Sequence, residues 1–375
     1  MDFNLTREQL MIQRLAREFT EQEIEPIADQ IDQKGVLPDD LITNCAKIGL
    51  LGMTVPKKYG GTETSNLSCI LAIEQLAYSG AGAWWLVGFN NSVPDSIVHF
   101  GSEALKDKYL RPLCDGTAYA SIQFTEEETG SDPAMLTTTS IPDGNSYLIN
   151  GMKRFSTFGA RDGCAITYTK DEDGNCTAFV IQKNLKGYST PKIWQLMGGG
   201  GMETADVYFE NLRVPKENIL GKKGDGFEIL LYWIASEKIQ QCAAATGIAQ
   251  AALDEAIKYV KTRKSGGRPI SGMQGIRWTL ADMQAKIEAC RWLTYRAAFL
   301  EDQQAANWQT ESATAKLFVA PNAMQVVDMS RQLHGAYGYT KETKIERLYR
   351  AIAGCTSIAV SLEINRSIVG SSLIK

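Results

Sequence analysis

The final 150 residues constrain this chain more than any other feature. From Gly226 onward apolar residues recur at helical spacing through four long stretches, 227–263, 273–306, 309–335 and 343–371, joined by short loops. A helix with an apolar stripe must bury it against a neighbour. Four of this length with short connections predict an antiparallel four-helix bundle.

The preceding residues divide into two further regimes. Residues 4–34 place Leu10, Ile12, Leu15, Phe19 and Ile24 at helical spacing, and Thr6 with Gln9 fits a capping box. After a break at Gly35–Pro38, a helix is expected through Leu41–Ile48, a turn-rich stretch over 50–65, and helices over 67–79, 83–100 and 102–116. Between about 119 and 225 the pattern changes. TAYASIQFT, SYLING, CAITYTK, TAFVIQK and ADVYFENLRV are short β-branched and aromatic runs separated by PDGN, EDGN, NLKG and GGGG turn signals. They predict a compact antiparallel β unit. The expected fold class is α+β, with an N-terminal helical domain (1–118), a middle β domain (119–225) and a C-terminal bundle (226–375). No βαβ alternation and no G-x-G-x-x-G after a strand argue against a Rossmann domain, so Gly198–Gly201 is read as a hairpin loop.

Composition narrows the function. Lys+Arg 39 against Asp+Glu 43 leaves −4, with no global attraction to nucleic acid or anionic membrane. Only His99 and His334 are present, which excludes a multi-histidine metal site. Eight cysteines without a C-x-x-C pair read as reduced thiols. The N-terminus resembles neither a signal peptide nor a transit sequence, and no run approaches the ~18 apolar residues of a membrane span. A soluble, cytoplasmic protein is expected.

Seven motifs in order, MTVPKKYGG (53–61), FTEEETGSD (124–132), GMKRFSTFG (151–159), FENLRVPKENILG (209–221), Arg263 with Gln274 eleven residues on, QLHGAYGY (332–339) and IERLYR (345–350), resemble the acyl-CoA dehydrogenase family over essentially the whole chain. The resemblance implies FAD between the β domain and the bundle, a homotetramer, and an electron-transferring flavoprotein as redox partner. It also implies the site residues. Ile122, Phe124 and Thr125 would lie along the flavin, with Thr125 hydrogen-bonded to the pyrimidine part of the ring. Gly130 would allow close backbone approach, and Ser131 would sit where FAD meets the pantetheine of the acyl-CoA. Phe155, Ser156 and Thr157 take the place of the family's aromatic-x-Thr triplet, in which an aromatic packs on the isoalloxazine and the Thr contacts N5. Arg263 offers a planar fork to the FAD diphosphate. Gln274 and the Gln332–Ala336 segment, including Leu333, Gly335 and Ala336, reach the FAD of an adjacent subunit. Ser361 and Glu363 complete the cofactor positions. Gly266 stands where the family often carries a phenylalanine, which weakens the apolar part of that contact.

One departure concerns the catalytic base. Most relatives abstract the substrate α-proton with a glutamate at the position that register from Arg350 assigns to Ala359, followed here by Val360 and Ser361. Alanine cannot take a proton. A minority, resembling isovaleryl- and long-chain acyl-CoA dehydrogenases and crotonobetainyl-CoA reductase, carry the base on another bundle helix with a Gly ten residues on; here that pair is Glu237 and Gly247. Positions 233, 237 and 241 share one helical face. A carboxylate facing an acyl pocket would be desolvated, which raises its pKa toward the range of a general base or acid. Glu237 is the expected base. Ala235 and Lys238 replace the flanking Asp and Arg of many relatives, so Lys238 keeps a charge for CoA but loses the fork. The backbone N–H of Ala359 survives loss of the side chain and, with Val360, remains available to the substrate thioester. The expected reaction is α,β-oxidoreduction of an acyl-CoA or enoyl-CoA in either direction. A flavin-binding chain without turnover and a flavin monooxygenase of the same fold are the alternatives. Trp84, Trp85 and Phe89 are expected either to border the acyl pocket or simply to fill the core.

Overall fold

A computed structural model describes residues 4–130 and 135–374. The Ser131 assignment therefore lies outside the described residues. Helix α1 (Arg7–Phe19) starts at the expected capping box: Thr6 Oγ1 accepts from Gln9 N at 3.2 Å, and Gln9 Oε1 accepts from Thr6 N at 2.9 Å. A π turn and a 3-10 turn lead into α2 (Ala28–Lys34), which stops at Gly35 with φ +71°. Helices α3 (Leu41–Lys47), α4 (Asn66–Ala77), α5 (Ala83–Phe100) and α6 (Glu103–Cys114) follow. Both α4 and α5 are buried along almost their whole length because they lie between other layers: α4 packs on α1 and the bundle, and α5 on the bundle and the sheet.

The middle region is an eight-stranded sheet. Its strands are β1 (Tyr119–Gln123), β2 (Thr139–Asp143), β3 (Ser146–Thr157), β4 (Gly163–Lys170), β5 (Cys176–Gln182), β6 (Tyr188–Ile193), β7 (Thr204–Pro215) and β8 (Ile219–Leu220). The spatial order is β6-β7-β3-β2-β4-β5-β8, with β1 beside β4. The hairpin neighbours pair antiparallel as expected. Strand β1 instead runs parallel to β4, from Tyr119↔Gly163 to Gln123↔Thr167, and β2 meets β4 in parallel at Thr139↔Lys170. Strand β1 arrives from the helical layer rather than from a hairpin, so no turn signal announces its direction. Strands β2, β6 and β8 were not anticipated; β2 and β6 each contain a proline, and β6 lies at the sheet edge, where a missing N–H is tolerated. Gly198–Gly201 lies in the loop joining β6 to β7, and Gly200 O accepts from Gly82 N at 2.7 Å, which ties that loop to the start of α5.

The last third comprises α7 (Gly226–Thr262), a two-stranded turn of β9 (Lys264–Ser265) and β10 (Arg268–Pro269), then α8 (Gln274–Asp302), α9 (Trp308–Leu333), α10 (Lys344–Ser357) and α11 (Leu362–Leu373). The single helix expected over 343–371 is therefore two. Ala359 and Val360 adopt φ +54° and +73°, a left-handed backbone that a right-handed helix cannot include. Ser361 then caps α11 by accepting from Ile364 N. Helix α7 is the axle of the bundle, in contact with α4, α5, α8, α9 and α10. At Gly247 an added Cβ would stand 2.0 Å from Glu74 O, so α7 and α4 touch backbone to backbone there. Because α7 is enclosed, its polar run Ser236, Glu237, Lys238, Gln240 and Gln241 is buried. That run needs a chemical reason. Among the described residues no helix is long and apolar enough to cross a membrane.

Candidate active site

Two of the expected flavin segments are brought together. Residues 124–130 leave β1 and lie against the end of β3. Arg154 N donates to Thr125 O at 2.7 Å, and Lys153 Nζ donates to Phe124 O at 3.3 Å. A buried ion pair clamps the junction: Lys153 Nζ is 2.6 Å from Glu126 Oε1, with neither side chain more than 2% exposed. Glu126 also accepts from Thr137 N and Oγ1 and from Thr138 N. Burial opposes its ionisation, yet Lys153 and these bonds hold its carboxyl down at about 2, while burial pulls Lys153 down to about 8.

The register of β3 against β7 slips by one residue between Lys153 and Ser156. Phe155 sits in that bulge with φ +57°, and its ring is turned outward, 49% exposed, 5.0 Å from the Trp194 ring. Bulges commonly re-aim a side chain in this way. The neighbouring Ser156 Oγ is buried without a hydrogen-bond partner, and Thr157 is nearly buried, its carbonyl accepting from Ser121 Oγ at 2.6 Å. Ile122 faces the core.

An aromatic relay joins these strands to α7. Phe158 contacts Phe89 of α5 (centroids 6.1 Å), and Phe89 contacts Trp233 of α7 at 5.8 Å. Trp84 and Trp85 stack at 3.9 Å behind them, and both are core residues. One turn beyond Trp233 lies Glu237, 4% exposed. Its Oε1 accepts from Gln241 Nε2 at 2.9 Å. Burial pushes this carboxyl up to about 7 against the opposing pull of Lys316 and the Gln241 bond. Beside it lies the buried Lys238 ammonium, which burial brings down to about 8.

Sequence reasoning missed Lys316. It is 1% exposed on α9 and donates to Gln241 Oε1 at 3.3 Å, to Ala359 O at 2.9 Å and to Ile358 O. The only signal was a lysine inside the otherwise small and apolar run SATAKLFVA.

The positions expected to reach an adjacent subunit lie far from this centre. Arg263 closes α7 roughly 40 Å along the helix from Glu237, at 1.5 Å per residue. It is exposed, as are Gln274, Gln332, Gly335 and Ala336, with Leu333 half-buried. These residues gather at one end of the bundle: Ile270 N donates to Arg263 O at 2.9 Å, and the His334 ring lies 4.5 Å from Tyr259. Ser361 is occupied as the cap of α11, and exposed Glu363 pairs with Arg366 at 2.8 Å.

Profiles of three consecutive domains match the chain: "Acyl-CoA dehydrogenase, N-terminal domain" over residues 6–117, "middle domain" over 121–212 and "C-terminal domain" over 224–374. The chain belongs to the acyl-CoA dehydrogenase family. Acryloyl-CoA reductase (NADH) of Anaerotignum propionicum is 36% identical over 100% of this chain and 96% of its own. Butyryl-CoA dehydrogenase of Megasphaera elsdenii has a solved structure that superposes with a TM-score of 0.96 at 32% identity over all of both chains. A structure from work on the electron transferring flavoprotein of Acidaminococcus fermentans and flavin-based electron bifurcation gives a TM-score of 0.97 at 35% identity, again over all of both chains.

Acyl-CoA dehydrogenases are flavoproteins, and the residues here fit a flavin. The bulge presents the flat Phe155 ring outward, and the orphaned Ser156 hydroxyl beside it lacks a partner that a polar ring edge would supply.

Proposed function

We propose that this chain catalyses α,β-oxidoreduction of an acyl-CoA thioester with bound FAD, and that Glu237 carries the α-proton. The carrying observation is a buried, hydrogen-bonded carboxyl held at about 7, one turn from an aromatic relay to the flavin strands, in a chain whose usual base position is Ala359. At neutral pH such a group populates both protonation states, so it serves as base toward a saturated thioester and as acid toward an unsaturated one. FAD bound along Thr125, Phe155, Ser156 and Thr157 supplies the acceptor or donor of the β-hydride. Trp233, Phe89 and Phe158 exclude water around Glu237. Lys238 offers its ammonium to CoA, and the Ala359 and Val360 N–H groups, neither of which donates to another described residue, polarise the thioester carbonyl.

The reading extends to the assembly. Arg263, Gln274 and Gln332–Ala336 serve the FAD of a neighbouring subunit in a homotetramer; their distance from Glu237 supports this, as do Trp278, Trp292 and Phe299, exposed on α8 of the single chain. An electron-transferring flavoprotein is the redox partner, in keeping with the system from which the Acidaminococcus structure comes. The eight free thiols suit a cytoplasmic setting.

The test is anaerobic titration of the flavin-loaded protein with saturated and α,β-unsaturated acyl-CoAs, wild type beside Glu237→Gln. Bleaching by a saturated thioester in wild type alone supports the proposal. Equal bleaching in the variant removes Glu237 from its role, and a flavin that no thioester perturbs removes the acyl-CoA reaction altogether.

A further inference from the structure

The ammonium of Lys316 has three protons, and the structure gives it three acceptors: Gln241 Oε1, Ile358 O and Ala359 O. These acceptors belong to the two halves of the proposed chemistry. Gln241 passes the contact to Glu237 through its own amide, Nε2 to Oε1 at 2.9 Å. An amide that accepts through oxygen and donates through nitrogen transmits the pull of the cation to the carboxylate, and its orientation is fixed by having different partners at its two ends. The other two acceptors are the carbonyls of the break between α10 and α11. No peptide bond among the described residues is cis. In a trans peptide C=O and N–H point in opposite directions. A cation on Ile358 O and Ala359 O therefore turns the Ala359 and Val360 N–H groups to the opposite side and polarises them. It also offsets the strain of two successive non-glycine residues at φ +54° and +73°.

We propose that Lys316 is a positioning residue that couples the two halves of the site, aligning Glu237 through Gln241 and aiming the Ala359 and Val360 amides through the carbonyls behind them. This rests on the acyl-CoA reading above. Burying an ammonium is costly, and α9 could fill the space with leucine or methionine. A lysine saturated by these three groups performs a task that an apolar side chain cannot. The other titratable groups facing the pair are Lys238 and Cys242 on α7 and Cys355 on α10; burial pushes both thiols far up, so they stay neutral, and it lowers Lys316 itself.

The experiment compares wild type, Lys316→Met and Gln241→Met as flavin-loaded proteins. One readout is independent of turnover: the pH titration of the Glu237 carboxyl by its protonated-carboxyl infrared stretch, identified by its absence in Glu237→Gln. Loss of the cation, or of the amide that relays it, should move the midpoint upward by about one pH unit. The second readout is the pH profile of flavin reduction by an acyl-CoA. Gln241→Met should show the displaced acid limb and, with Glu237 no longer held by the amide, a plateau lowered by less than in Lys316→Met. Lys316→Met should show the same displacement with a plateau lowered roughly ten-fold and KM within about two-fold. A folded Lys316→Met with unmoved midpoint and plateau overturns the proposal. Should that variant not fold, an unmoved midpoint in Gln241→Met overturns the coupling to Glu237. Failure of the acyl-CoA reading is separately visible, because wild type would then not bleach while the infrared midpoints still report on Lys316.

Discussion

Replacing Glu237 with glutamine should abolish proton transfer and stabilise the protein, with the gain depending on pH. The carboxyl titrates at about 7 in the fold against an ordinary value of 4.5, chiefly because burial penalises its charge. Between those values the folded state holds a proton that the unfolded chain has released, so wild-type stability falls as pH rises from 4.5 through about 7 and then levels off. A gap of about two and a half pH units at ~1.36 kcal/mol each amounts to about 3 kcal/mol, on the order of a third of a typical domain's stability. Glutamine can accept the same bond from Gln241 without carrying a charge. Urea denaturation of wild type and Glu237→Gln at pH 5 and pH 8, followed by tryptophan fluorescence, checks this. The variant should exceed wild type by under about 1 kcal/mol at pH 5 and by about 3 kcal/mol at pH 8. A difference of equal size at both pH values would refute the reasoning, since it would show a packing effect rather than a buried charge. Such a trade of stability for activity is common where function needs a charge in a dry place.

Three further outcomes follow from the geometry. Gly247→Ala, whose Cβ would stand 2.0 Å from Glu74 O, should force α7 and α4 apart and cost about 2–3 kcal/mol or more by denaturant titration. Glu126→Gln leaves the Lys153 ammonium buried and unpaired, so it should cost about 3–5 kcal/mol near neutral pH and release flavin, measured by fluorescence of the freed cofactor. Because the Glu126 carboxyl is held at about 2 and Lys153 at about 8, this pair's contribution should be intact between pH 4.5 and about 8 and lost as pH falls through about 2. Arg263→Ala, at an exposed helix end, should change chain stability by less than about 0.5 kcal/mol while weakening flavin retention on dilution.

The sequence and the structure agree most closely where periodicity and end signals coincide. The Thr6–Gln9 capping box, the long α7 and the hairpin loop at Gly198–Gly201 were all readable, since each depends on neighbours a few residues away. The parallel pairing of β1 with β4 was not, because its partner lies about forty residues on, beyond the whole β2–β3 hairpin, and no local signal joins the two strands. The break at Ala359–Val360 was also hidden. Neither residue favours a left-handed backbone, and only the contacts of Lys316 with the carbonyls there supply a reason for it.

By itself the sequence determined the order of helical, sheet and helical layers, the family, and the absence of a carboxylate at position 359. These follow from local spacing and residue type. Tertiary structure decided the electrostatic state of the candidate site. Glu237 is one glutamate among many until α5, α9 and α10 close around α7 and remove its water. Lys316 is an ordinary lysine until the fold offers it three acceptors and no solvent. Desolvation depends on everything that surrounds a group, and that information is distributed along the whole chain rather than written beside the residue.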